Sequence, residues 1–326
     1  MIKPSLKKLK EPVQKEMELF QQEFEKGIRS DVSLINTITQ YILSQKSKKI
    51  RPILLMLCAK LCGEPNELSY ISASLVEILH TATLVHDDIV DEAETRRGLP
   101  SVKAIWKNKV AVLFGDYLFS KSLDGMIKLR NFDALELLSK TSELLSSGEI
   151  LQIEKSFSDG MSEEIYYKMI WAKTASLFAT GCKLGAITVN AAPEFCDSLY
   201  QYGKYLGMAF QIRDDLFDYN STHSNIGKPI GRDIKENMIT LPLIYTLNTL
   251  PRSDSRKLKK DLKERHSKKE VEEINALVKE TGGVDYALKK LHELSRSAVD
   301  QLSIFPDSVI KQSLIGFTVY NEKRSN

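Results

Sequence analysis

Cysteine and histidine are scarce in this chain, with four of the first and five of the second in 326 residues. The cysteines Cys58, Cys62, Cys182 and Cys196 form no CxxC pair, so nothing in their spacing suggests zinc. Cys58 and Cys62 share one face of an apolar helical stretch and read as buried reduced thiols. An excess of one charge sign is also missing. Forty-six basic residues against 43 acidic ones leave a net +3, without the strong basic excess of nucleic-acid binding proteins. No run reaches the ~18 uncharged apolar residues needed to span a membrane, and the first residues, MIKPSLKKLKEP, hold no apolar signal core. The expectation is a soluble cytoplasmic protein with no nucleic-acid partner. Short alternating runs and tight turns, the marks of a sheet, are absent as well.

What is present is apolar residues, at 42% of the chain, enough for a substantial core. They recur at helical period. YISASLVEILHTATLVHD sets Leu75, Ile78, Leu79, Ala82 and Val85 near one face. KVAVLFGDYLFSKSLDGMIKL, ALELLSKTSELLSSGEILQIE, EIYYKMIWAKTASLFATGCKLGAITV and FCDSLYQYGKYLGMAFQIRDDLFDY behave alike. Several are longer than an average helix and apolar round much of their circumference, which fits an all-α bundle with buried central members. RNFD, SDGMS, NAAPEF and NSTHSNIGKPIGRD read as loops. The charged stretch Pro251–Glu270 reads as a solvated loop and helix face. With no repeat of fixed period, one domain over residues 1–326 is predicted.

Two runs, LVHDDIVDEAETRR and QIRDDLFDY, place aspartates at the same spacing near the ends of two such helices. Asp87 and Asp91 stand at i,i+4 and Asp88 and Asp91 at i,i+3; Asp214, Asp215 and Asp218 repeat the pattern. Like charges at these spacings repel, and a helix C-terminus is unfavourable to anions. A cation is therefore expected. Hard carboxylate oxygens favour Mg²⁺ over zinc, and Mg²⁺ commonly binds one or two carboxylates together with substrate phosphates. Basic residues lie nearby in sequence: Arg96 and Arg97 just past the first run, Lys48, Lys49 and Arg51 in KSKKIRP, Lys173 within an apolar helix, and Lys228 on the loop. Arginine forks suit phosphate, and the set suggests a diphosphate held between metal and cations. His80 and His86 flank the approach to the first run. Glu77 and His80 form an ExxH pair, but a di-iron bundle needs a second, and no other histidine has a glutamate three residues before it.

With these motifs in hand, the chain resembles the trans-polyprenyl diphosphate synthases, the all-α isoprenyl chain-elongating enzymes, closest to the long-chain bacterial members. LHTATLVHDDIVDEAETRRG and GMAFQIRDDLFDY match the two aspartate-rich motifs; KIRP, GDYLFSKS, KTASLF and GKPIGRDIKENMITLPLI match in order, from about Lys46 to Leu247. The resemblance implies a single helical bundle of the isoprenoid synthase type around a deep central cavity. It implies a homodimer and Mg²⁺, three ions per site with substrate bound, held by Asp87, Asp88, Asp91, Asp214, Asp215 and Asp218. Arg96, Lys173, Gln211 and Lys228 would contact the allylic diphosphate, farnesyl or geranyl. Lys48, Arg51, His80 and Arg97 would hold isopentenyl diphosphate, and Thr174 would steady the carbocation. Two departures stand out. The family's Gly-Gly before the first basic motif is Lys46-Ser47 here, and Met238 replaces a lysine common in the family, whose contact Lys235 could supply.

The implied reaction ionises the allylic C–O bond, adds the double bond of isopentenyl diphosphate head to tail, and loses a proton to the released diphosphate. Apolar walls must exclude water, with Asn220–Asp233 as a lid. Short-chain members carry aromatics four or five residues before the first aspartate; Thr83 and Ala82 stand there, both small. A deeper floor is expected near Phe119, Leu123, Met126 and Leu138, with Met126 the first choice, although it serves equally well as core filler. The expected product is around C30–C40, for a quinone side chain in the membrane. The alternatives are a C15–C20 synthase, a terpene cyclase, which usually lacks the second aspartate run, and a non-catalytic partner subunit, which would have lost aspartates.

Overall fold

A computed structural model describes residues 5–45, 47–96, 98–156, 161–219, 238–262 and 267–324. Lys46, Arg97, Lys228, Lys235 and the Asn220–Asp233 segment, on which the sequence places expectations, lie outside them.

The fold is all-α, as the periodicity predicts. Helices α1 (Leu6–Lys10), α2 (Gln14–Gly27), α3 (Ser33–Ser44) and α4 (Ile50–Cys62) lead to α5 (Glu67–Val90), which carries the first aspartate run. Asn66 caps α5 by accepting from Leu68 N–H, and Ser69 answers with its hydroxyl on the Asn66 N–H. A two-strand hairpin, β1 (Thr95–Arg96) and β2 (Leu99–Pro100), follows. It pairs Thr95 with Pro100 and Arg96 with Leu99, and turns the chain back so that Arg96 faces α5. Next come α6 (Val102–Lys128), α7 (Phe132–Ser156), α8 (Glu163–Ile170), α9 (Ser176–Thr188) and α10 (Pro193–Phe217), which carries the second run. The chain continues through α11 (Leu241–Thr249), α12 (Arg252–Asp261), α13 (Lys268–Glu280), α14 (Gly283–Gln301) and α15 (Val309–Lys323). The stretch read as a solvated loop and helix face is partly α12, an amphipathic helix that buries Leu258.

Helix α5 has two working faces. Leu75 and His86 abut α6 where glycines leave room: a Cβ at Gly125 would fall 2.2 Å from Leu75 Cδ2, and one at Gly115 2.2 Å from His86 Nε2. Ala82 shares that stripe by helical spacing and is 2% exposed. The other face carries Glu77, His80, Leu84 and Asp87 along the central cavity. By length and composition α5 could cross a membrane, yet 61% of its most apolar window is buried inside the fold.

Between α8 and α9 the helix does not break. Residues Trp171–Ala175 form one π-helical turn, a feature common at functional sites. Two glycines let neighbours press on it. A Cβ at Gly148 of α7 would sit 2.9 Å from the Lys173 nitrogen, and one at Gly207 of α10 would sit 2.6 Å from Ala175 Cα. Gly207→Ala is therefore expected to cost about 1–3 kcal/mol, the usual penalty for overpacking. Thermal and urea melts check this; unchanged melting would show that α10 can shift without strain.

Candidate active site

A cavity of about 520 Å³ lies between α4, α5, α7, α9, α10 and the π-turn. Its walls are apolar at Leu84, Leu145, Leu177 and Phe210. One side is basic, with Lys48, Lys49 and Arg51, and another is acidic, with Asp87 and Asp214. Lys173, Thr174 and Gln211 border both this space and an annex of about 120 Å³ that reaches Gln152, Asp215 and Met238.

On the basic side, Arg51 Nη1 lies 3.0 Å from His80 Nε2. A guanidinium only donates, so in this contact the ring nitrogen is the acceptor. The Arg51 guanidinium also covers the Phe178 ring at 4.6 Å. Lys48 is exposed at the mouth, while Lys49 turns inward, 3.0 Å from Glu77 Oε1 and 4.3 Å above the Phe24 ring. This lysine takes a left-handed backbone (φ 48°) just ahead of α4, so its inward side chain anchors the turn from which Lys48 and Arg51 diverge. Glu77 is thus committed to a lysine, which disposes of its ExxH pairing with His80 as a metal motif.

On the acidic side the two runs behave alike. The middle aspartate of each is buried and satisfied from within the fold. Asp88, 3% exposed, takes Arg96 Nε at 2.7 Å. Asp215, 7% exposed, accepts from the Tyr166 hydroxyl at 2.6 Å and from Gln211 Nε2 at 2.8 Å. The first aspartate of each run, Asp87 or Asp214, lines the cavity, and the last, Asp91 or Asp218, follows the helix end as its cap. Successive residues on a helix do not face the same way, which separates Asp88 and Asp215 from their neighbours. Burial pushes Asp87 up to about 7; Lys173 and Arg96 pull it down, Glu149 and Asp91 push it further up. Burial likewise carries Asp215 to about 7 against its hydrogen bonds from Tyr166 and Gln211.

Lys173 is gripped by α7, with its Nζ 2.5 Å from Glu149 Oε2 and 3.1 Å from Gln152 Oε1. The second Glu149 oxygen is buried and has no hydrogen-bond partner among the described residues. Arg324, 5% exposed just past α15, sets a nitrogen 2.8 Å from Asp214 Oδ1 and lies 3.7 Å over the Phe210 ring. Among the described residues no three acidic, histidine or cysteine side chains converge to hold an ion unaided. The hard carboxylate oxygens at the cavity suit Mg²⁺, which completes its shell with phosphate oxygens and water.

The polyprenyl synthetase family model matches residues 32–281. The chain belongs to that family. It is a prenyltransferase of the long-chain trans-polyprenyl diphosphate synthase group, with the isoprenoid synthase fold. It is 35% identical to the all-trans-nonaprenyl-diphosphate synthase (geranyl-diphosphate specific) of Rhodobacter capsulatus, over 94% of each chain. To the octaprenyl diphosphate synthase of Escherichia coli it is 32% identical, over 89% of this chain and 90% of that one. The crystal structure of a Caulobacter crescentus polyprenyl synthase complexed with calcium and isoprenyl diphosphate superposes with a TM-score of 0.93 at 28% identity, covering all of both chains. The family works on isopentenyl and allylic diphosphates and is generally Mg-dependent.

In this synthase Lys48, Arg51, His80, Asp87, Lys173, Thr174, Gln211 and Asp214 come together on one cavity. Arg96 points instead to Asp88. Of the chain-length set, Thr83 lines the cavity, while Ala82, Met126 and Leu138 are core. Phe119 is half-buried. Leu123 is 45% exposed on the outer face of α6, so it forms no floor within this chain. Met238, at the family's lysine position, lines the annex beside Gln152. Glu149, Gln152, Tyr166 and Arg324 were not anticipated from sequence, nor was the pairing of Lys49 with Glu77. Only GEILQ, a glycine and two polar residues at Gly148–Gln152, carried a visible signal.

Proposed function

We propose that this synthase condenses isopentenyl diphosphate with farnesyl or geranyl diphosphate to an all-trans product of about C30–C40, for a quinone side chain. One observation carries the reading: a single cavity with a basic wall, an acidic wall holding the first aspartate of each run, and an apolar lining. Of the six aspartates expected to bind Mg²⁺, Asp87, Asp91, Asp214 and Asp218 are the proposed ligands, three ions in all; Asp88 and Asp215, buried and hydrogen-bonded within the fold, are left out of the set. The bound metal would supply charge for the departing diphosphate. Lys173, Gln211 and Arg96 would hold that diphosphate; Lys48, Arg51 and His80 would hold isopentenyl diphosphate. Leu84, Leu145, Leu177 and Phe210 would keep water from the allylic cation. No protein base is needed if the released diphosphate takes the proton.

The chain is proposed to act as a single domain, in a cytoplasmic homodimer that hands its product to the membrane. Leu113, Leu123 and Ile127 of α6 with Phe132 of α7 support the dimer, since they leave an apolar stripe exposed (Phe132 at 87%). Purified protein given farnesyl diphosphate, labelled isopentenyl diphosphate and Mg²⁺ should yield products of C30 or longer that vanish with EDTA. Products ending at C15–C20 would overturn the chain length. Turnover of the allylic diphosphate without isopentenyl diphosphate would make it a cyclase, and an inactive pure protein would make it a partner subunit.

A further inference from the structure

Four side chains form one hydrogen-bonded row beneath the cavity. Thr174 Oγ1 lies 2.7 Å from Gln211 Oε1, Gln211 Nε2 lies 2.8 Å from Asp215 Oδ1, and the Tyr166 hydroxyl lies 2.6 Å from Asp215 Oδ2. The row has a direction. An ionised carboxylate only accepts, so with Asp215 ionised Gln211 must offer it its amino group and turn its carbonyl oxygen toward Thr174. Thr174 has one proton to donate, and Gln211 takes it. The remaining lone pairs of the Thr174 oxygen are then left for the cavity that Thr174 lines. A positive charge forming there meets electron density and not a hydroxyl proton.

We propose that Asp215 is a positioning residue and not a metal ligand: through Gln211 it fixes the polarity of Thr174 so that a hydroxyl oxygen faces the allylic cation. Its burial fits this role, and so does the internal partner on each of its oxygens. Asp214, one residue earlier, borders the main cavity, whereas Asp215 reaches only the annex. Tyr166 is fully buried and belongs to the device as the group that holds Asp215 at its far end. Asparagine at 215 would carry a donor, let the Gln211 amide reverse, and turn the Thr174 proton toward the cation.

The proposal rests on the reading of the site given above, and the test separates the two. Mn²⁺ binding in the presence of inorganic diphosphate is measured by electron paramagnetic resonance, alongside kcat and KM, for wild type, Asp214→Asn, Asp215→Asn, Thr174→Val and Asp215→Asn/Thr174→Val. Asp215→Asn should bind Mn²⁺ within about threefold of wild type and lose about 10²-fold in kcat, the scale of one lost group that stabilises transition-state charge. Asp214→Asn should loosen Mn²⁺ binding at least about tenfold, since it removes one of few carboxylate ligands. The double variant should be no slower than Asp215→Asn alone. Mn²⁺ binding loosened in Asp215→Asn as much as in Asp214→Asn would overturn the proposal, as would kcat losses that multiply in the double variant. If Asp215→Asn does not fold, Gln211→Leu replaces it in the non-additivity test. Tyr166→Phe then carries the metal test: unchanged Mn²⁺ binding is expected, and binding tightened by the exposed Asp215 oxygen would overturn the idea. Wild type that neither binds Mn²⁺ with diphosphate nor condenses substrates would remove the underlying reading, and this inference with it.

Discussion

Asp87→Asn should abolish condensation while leaving the metal-free protein at least as stable as wild type. Asp87 lines the cavity, and burial has pushed its carboxyl up to about 7. A folded-state pKa above the unfolded value of about 3.9 means that the folded protein prefers Asp87 protonated. Its favourable contribution is complete below the unfolded pKa and is lost as pH rises through about 7. Metal-free wild type should therefore lose melting temperature between pH 5 and pH 8, whereas Asp87→Asn should lack that part of the fall. Turnover should move the opposite way. Several kcal/mol of metal-borne charge stabilisation amounts to about 10³-fold or more in rate. Differential scanning fluorimetry at the two pH values, together with radiolabel incorporation, checks both halves. Turnover within tenfold of wild type would remove Asp87 from the metal set. A variant that melts well below wild type at pH 8 would show that the carboxylate is already compensated.

The second large effect concerns product length. Thr83→Phe should cut the product from about C30–C40 to C15–C20, with initial rates on farnesyl diphosphate falling far less. Thr83 lines the cavity one helical turn ahead of Asp87, so a phenyl ring there occupies the path of a growing chain. Each turn of α5 is ~5.4 Å deep, roughly one isoprene unit. Ala82→Phe should act differently. Ala82 is 2% exposed on the stripe facing α6, so bulk there strains the α5–α6 seam by about 1–3 kcal/mol. Reversed-phase chromatography of dephosphorylated products distinguishes them. Long products from Thr83→Phe and short ones from a fully stable Ala82→Phe would place the hydrocarbon path in the seam.

The helical class, the two aspartate runs and most of the cavity were legible because they depend on period and spacing, which a linear string displays. Less legible was which aspartates of a run look outward. Spacings i,i+3 and i,i+4 put all three on one broad face, and only packing shows that Asp88 and Asp215 turn into the protein. Arg324 and Tyr166 act on aspartates 110 and 49 positions away in sequence, Asp214 and Asp215, and no local pattern announces such a pairing. The outward position of Leu123 was hidden for a related reason: α6 carries apolar residues on both its inner and outer faces, so period alone could not say which side Leu123 takes. The half-buried Lys49–Glu77 pair was hidden by its setting, since one lysine in KSKKIRP looks much like the next.

The π-turn at Trp171–Ala175 has a consequence for how this sequence can vary. Such a turn holds one residue more than the α-helical turn it replaces. Deleting a single residue from it would restore an ordinary helical turn, with α8 and α9 still in register but the widened turn drawn in. Lys173 and Thr174 could then no longer both face the cavity. Point substitutions around this turn keep its width, but a one-residue gap does not. Length at this position should accordingly be far less tolerant than composition, and a library of single-codon deletions through α8 and α9 should lose all activity at the turn while sparing positions near the outer helix ends.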